Sequence, residues 1–191
     1  MPPLKIAVLV ETPAWRERLP TVAAHVRKFA RAAVKAALAD GVPAPNSRRP
    51  WALTVLLADD ADLRALNRDF RGKDKPTNVL SFPAWEAGPA GTAGARGAKE
   101  AVNLGDIALS FGVTAKESLK QNKSLADHLA HLTVHGVLHV FGYDHLDQSQ
   151  ADDMESLERA VLARHGIADP YVLRPARKAA PRARKQRGRT R

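Results

Sequence analysis

Three histidines within eleven residues, His135, His139 and His145, stand at the spacing that one metal ion requires. His135 and His139 are four residues apart, so on a helix both rings leave the same face. Gly142 follows where that helix must stop, because glycine takes the left-handed conformation that ends helices at no steric cost. The chain can then turn back and carry His145 toward the first two rings. Three neutral imidazoles with a fourth position open describe a catalytic zinc site, whereas a closed structural site wants a fourth protein ligand. The chain has no cysteine to supply one. Nickel, iron and copper also accept imidazole, so Zn²⁺ is a preference of this ligand set rather than a deduction from it.

The neighbours of the triplet leave several uses open. His131 and His128 lie on roughly the same helix face, one and two turns earlier. They suit hydrogen-bond partners of the ligands or ordinary structural positions. Asp144 could orient a ring, take a proton or cap the turn. The spacing is also that of the metzincin metallopeptidases, in which a glutamate directly after the first histidine is the general base. Here that position is Gly136. A peptidase without its base forfeits roughly two or more orders of magnitude in rate. The glycine therefore counts against peptide hydrolysis and leaves metal-activated water for another electrophile.

A second constellation runs from Leu66 to Pro83. Arg71, Lys73 and Lys75 cluster around Gly72 in a turn that joins a helix to a strand. Arginine grips a phosphate through two parallel N–H groups and lysine acts on it as a point charge. A solvated loop in which Thr77 and Asn78 merely complete the turn is the alternative. Beside a metal site, such cations would hold a phosphodiester while the metal polarises it.

These groups need elements to position them. Alternation over Lys5–Glu11, an apolar run over Trp51–Ala58, and the stretches Asn78–Phe82 and Asn103–Ser110 read as four strands. Apolar residues recur at helical spacing from Arg16 to Ala39. Asp59, Asp60 and Asp62 open a second helix that reaches about Phe70, where acids serve as caps and macrodipole partners. Helices follow over Thr114–Gln121, from Ser124 or Leu125 to Phe141, and to about Arg164 after a capping-box-like Asp147–Gln150. Strands mixed with about five helices indicate an α/β or α+β domain, helices packed on a small sheet, with the metal site at the C-terminal end of a helix.

The net charge of +10 belongs to one end of the chain. Arg174–Arg191 holds nine of the 30 basic residues and no acid, and the other 21 face 20 acids. Residues 1–173 therefore read as one nearly neutral domain and 174–191 as a disordered basic tail. Such a tail gathers phosphate charge and raises encounter rates with nucleic acid, or serves only solubility. Residues 86–100, rich in Ala and Gly, read as a flexible surface loop. The apolar runs are too short to cross a bilayer, no signal peptide is evident, and the absence of cysteine suits the cytoplasm.

The stretches HGVLHVFGYDH (His135–His145), RGKDKPTNVLSFP (Arg71–Pro83) and LGDIALS (Leu104–Ser110), in their order along the chain, resemble the YbeY family of bacterial single-strand endoribonucleases, the rRNA maturation factors. The likeness covers Trp51 to Ala163. It implies an α+β fold with a small mixed four-stranded sheet and zinc held by His135, His139 and His145. It implies action on small-subunit rRNA, above all its 3′ end, and a part in ribosome quality control. It makes Arg71 a catalytic or phosphate-binding residue, beside which the reading of the turn sets Lys73 and Lys75 as phosphate-binding candidates. The partners implied are RNA, the ribosomal small subunit and an assembly GTPase, with neither membrane nor DNA. A metallopeptidase and a non-catalytic zinc-containing assembly factor are the competing readings.

Overall fold

The structure, a computed structural model, describes residues 1–45, 49–85 and 100–172. The basic tail and all of the Ala/Gly-rich loop but Glu100 lie outside the described residues. The first alternating run forms strand β1 (Leu4–Val10). The single helix expected over Arg16–Ala39 is two, α1 (Ala14–Arg18) and α2 (Val22–Ala39). Pro20 is the reason, since proline lacks the N–H for the helical ladder and pushes the residue before it out of helical geometry. Leu19 accordingly has φ −138° and ψ 85°. Then come β2 (Trp51–Ala58), α3 (Asp60–Arg71), β3 (Val79–Pro83), β4 (Val102–Ser110), α4 (Phe111–Lys120), α5 (Leu125–Val140) and α6 (Gln148–Ala163). The described residues thus form six helices where about five were expected.

The sheet is mixed, in the order β1-β2-β4-β3. The first three strands run parallel and β3 pairs antiparallel on the outer side of β4. Alternate residues of β2 explain the layering. Leu53, Val55 and Leu57 enter the main core shared with α2, α5 and α6, while Ala58 enters a smaller cluster with Leu63 of α3, Leu80 and Ala108. Helix α5 therefore lies on the main face of the sheet, against β3 and β4. A bulge in β4 sets Ala52 opposite Asn103 but Leu53 opposite Gly105. Gly105 has φ +148°, and a Cβ there would stand 2.5 Å from the Phe82 carbonyl oxygen, so glycine is required.

The three acids after β2 divide their work. Asp59 and Asp62 form the capping box that opens α3. Asp60 instead caps α4, accepting from the Val113 N–H (3.0 Å) and the Ser110 hydroxyl. This cap comes from 53 residues away, which is why α4 begins at Phe111 rather than at the expected Thr114. Asp147 caps α6 through the Gln150 N–H (2.9 Å), while the Gln150 side chain accepts from Leu146 rather than closing the box on Asp147.

Candidate metal centre and the basic turn

Helix α5 starts on the Ser124 hydroxyl, which accepts from the Asp127 N–H (2.9 Å). It ends in a Schellman motif: the Tyr143 N–H reaches the Leu138 carbonyl (3.1 Å) and the Gly142 N–H the His139 carbonyl (3.0 Å). Gly142, at φ +86°, takes the left-handed position that the sequence pattern assigns to it. The reversal folds residues 143–145 back over the last turn of α5. The His145 ring centroid comes within 5.1 Å of His139 and 5.8 Å of His135. One ligand atom from each of the three histidines lies within 4.8 Å of the others.

The orientation of the rings matters as much as their distance. His135 and His139 point Nε2 at each other, 3.1 Å apart. Their outer nitrogens are held: His135 Nδ1 donates to Glu158 Oε1 (2.8 Å) and His139 Nδ1 to the Tyr143 carbonyl (2.9 Å). Imidazole nitrogens about 2.0–2.1 Å from a tetrahedral ion stand roughly 3.4 Å from each other, close to the spacing seen. With both Nδ1 protons fixed outward, two bare lone pairs converge, an arrangement that a cation relieves. Burial, then the neighbouring His135 and His145, lower the His139 pKa to about 4, so this ring is neutral at pH 7 and surrenders no proton to bind a metal. The residues present fit a metal ion. His145 is exposed, so the cluster opens to solvent on its side.

Glu158 of α6 was not singled out from sequence. Its side chain is fully buried, and it accepts from His135, from His131 Nε2 (2.8 Å) and from the Tyr171 hydroxyl (2.5 Å). Burial alone would raise its pKa, but the hydrogen bonds from His131 and His135 outweigh that and keep it ionised. Burial lowers the pKa of His131, which stays neutral and donates to the carboxylate. One signal existed: Met154, Glu158, Val161 and Leu162 are the buried positions of α6, so an acid occupies a core position of an amphipathic helix. Asp144 accepts from the His145 N–H through Oδ1 (2.8 Å), the turn-capping use among those weighed.

Among the described residues, no hydrogen bond or ion pair links the cations of the second constellation to the histidine cluster. Arg71 is the last residue of α3, and Gly72 ends that helix at φ 67°. The turn beyond is firmly built. Asn67 is 3 % exposed and donates to the Lys75 carbonyl (2.7 Å), and Arg64 clasps Asp74 through two bonds of 2.7 and 2.8 Å. With Asp74 so engaged, Arg71, Lys73 and Lys75 stay exposed, and no ion pair holds any of them among the described residues. The turn's exit is tied to α5, because Asn78 donates to Glu117 Oε2 (3.0 Å), which also accepts from His128 Nε2 (2.9 Å).

Gly136, which stands where a metzincin carries its glutamate, faces the sheet. A Cβ there would meet Ile107 Cγ2 at 2.9 Å and Ser81 Oγ at 3.2 Å. The glycine lets α5 seat on β3 and β4, and a side chain at this position would start out toward the sheet.

The chain is thus an α+β sheet-and-helix domain with a histidine cluster at a helix end. The fold is similar to that of a solution structure of a Thermotoga maritima protein, with TM-score 0.50, 18% identity, and coverage of 85% of this chain and 92% of that one. A Paramagnetospirillum magneticum protein named endoribonuclease YbeY is 46% identical over 169 residues, 88% of this chain and 96% of its own length. An Azorhizobium caulinodans protein of the same name is 45% identical over 89% of this chain and 98% of its own. The profile of the family described as endoribonuclease YbeY matches residues 16–166. The chain belongs to that family, whose members are hydrolases acting on RNA.

Proposed function

We propose that this protein is a zinc-dependent, single-strand-specific endoribonuclease that matures small-subunit rRNA, its 3′ end above all, and serves ribosome quality control. The observation that carries the reading is the convergence of the His135 and His139 Nε2 atoms, 3.1 Å apart and both tied from behind, beside an exposed His145. These three residues would hold the ion. When bound, Zn²⁺ supplies a Lewis acid and lowers the pKa of a coordinated water toward neutrality. Arg71 neutralises charge that gathers on the attacked phosphate, and Lys73 and Lys75 hold the flanking backbone.

The cleft behind the 142–144 turn, about 500 Å³, is lined by Asp40, Asp144 and Asp153, which repel a phosphate backbone. No helix among the described residues is long and apolar enough to span a membrane. The working unit is residues 1–173, with 174–191 as a basic arm that speeds encounter with rRNA. Its setting is the cytoplasm, on the small subunit, alongside an assembly GTPase.

An RNA spanning the 3′ end of small-subunit rRNA, naked and within intact small subunits, tests this. Metal-loaded protein cuts it, and folded His139→Ala is slower by roughly a thousandfold or more, as expected for loss of several kcal/mol of Lewis-acid stabilisation. Zinc restores activity to stripped wild type but not to the variant. Product ends assign the nucleophile: 5′-phosphate with 3′-hydroxyl indicates water, a cyclic phosphate the substrate's own 2′-hydroxyl. Failure of folded, metal-loaded wild type on both substrates overturns the proposal.

A further inference from the structure

The sequence places the ligands on α5 and the turn after it, yet the group that grips His135 from behind sits on α6 and is closed over by chain that lies beyond α6. Glu158 has no solvent exposure, and both its oxygens are in use: Oε1 by His135 Nδ1, Oε2 by His131 Nε2 and the Tyr171 hydroxyl. Each partner is a donor, so the carboxylate acts as acceptor only, and the His135 proton is fixed on Nδ1. Nε2 is thereby the sole lone pair that His135 can offer.

Tyr171 is itself held in place. The Arg159 guanidinium lies over its ring at 4.8 Å and pairs with Asp169 (3.3 Å). The Tyr171 N–H donates to Asp169 Oδ1 (2.8 Å), and Lys123 donates to the Pro170 carbonyl. The segment 169–171 therefore folds back as a strap whose hydroxyl completes the set around Glu158. His131, His135 and Glu158 could also form a metal group by distance alone. Their hydrogen bonding opposes that use, because a cation there would displace the protons that Glu158 receives and would take His135 by the wrong nitrogen.

We infer that Glu158 is a positioning residue for the metal ligand His135, and that the Tyr171 strap holds Glu158 in place, so that the segment after α6 is a working part of the centre. A carboxylate behind a ligating imidazole fixes its tautomer and raises its basicity. The inference rests on the histidine cluster holding a metal ion. Glu158→Gln keeps the shape but sets an amide where one acceptor stood, and Tyr171→Phe removes only the hydroxyl.

Zinc affinity is measured by chelator competition on the full chain, and the visible spectrum of the Co²⁺-substituted protein reports ligand geometry. Glu158→Gln is expected to weaken zinc binding about 10- to 100-fold, the usual effect of losing such a partner. Tyr171→Phe should weaken it by a smaller factor in the same direction, and both should alter the Co²⁺ spectrum. If Glu158→Gln fails to fold, Tyr171→Phe still decides. Wild-type affinity with an unchanged spectrum in the folded variants overturns the inference and leaves the metal reading standing. Absence of metal binding by wild type would instead overturn the metal reading itself.

Discussion

The two ends of α5 both pair a histidine with a carboxylate from another helix, but they spend the imidazole differently. Near the start, His128 gives Nε2 to Glu117, and its Nδ1 is buried without a partner among the described residues. Near the end, His135 gives Nδ1 to Glu158 and keeps Nε2 for the space it shares with His139. The first arrangement leaves the other nitrogen walled in, so the ring serves as a strut, and through Asn78 it fastens the basic turn to the helix. The second leaves a nitrogen that could serve as a ligand. What distinguishes a strut histidine from one that could ligate a metal ion here is which nitrogen the carboxylate takes, and one helix thereby mounts both the histidine cluster and the exit of the basic turn.

Breaking the seat of that helix should have the largest effect. Gly136→Glu would place a carboxylate without a partner against Ile107, where even a Cβ stands at 2.9 Å. Overpacking and an unpaired buried charge together cost about 3 kcal/mol or more, which lowers Tm by about 6–12 °C for a domain of this size. Thermal melts check this, and a peptidase assay on the same variant should stay blank. Unchanged stability would mean that α5 is not seated on β3 and β4 through this face. Next comes Arg71→Ala, which should slow RNA cleavage about a hundredfold while zinc content and Tm stay at wild-type values, because Arg71 is exposed. A matching loss of zinc would join Arg71 to the ligand end and erase the division of labour.

The convergence of the three histidines was legible because its signal is local: a four-residue spacing, a glycine stop and a short return, all within eleven residues. The strands were legible for a similar reason, with β2 running over Trp51–Ala58 as its apolar content implies. Apart from the split of the first long helix, the remaining features depend on partners remote in sequence. Pro20 splits the first long helix, a local signal outweighed by the periodicity on either side of it. Asp60 reaches 53 residues along the chain to start α4. Glu158 meets His135 across 23 residues, and its only local mark was a charge in the buried stripe of α6. The six helices and four strands follow from patterning and punctuation, whereas the hydrogen bonds that orient the rings follow from packing that no window of sequence contains.

The mildest test concerns the strut. Burial would raise the Glu117 pKa, but hydrogen bonds from His128 and Asn78 outweigh it and hold the carboxyl below its ordinary 4.5. A carboxyl depressed in the folded state adds stability that is fully present above the unfolded pKa and is lost as pH falls through the lower folded value. Glu117→Gln should therefore cost about 1 kcal/mol at neutral pH, after solvent screening of a partly exposed group, or about 2–4 °C in Tm. Its melting curve should then converge on that of wild type below pH 4.5, where the parent loses the same contribution. Zinc affinity should not change, since His128 lends no nitrogen to the cluster. A loss of zinc as large as that expected for Glu158→Gln would show that the two ends of α5 act as one network and that the nitrogen each carboxylate takes does not separate them.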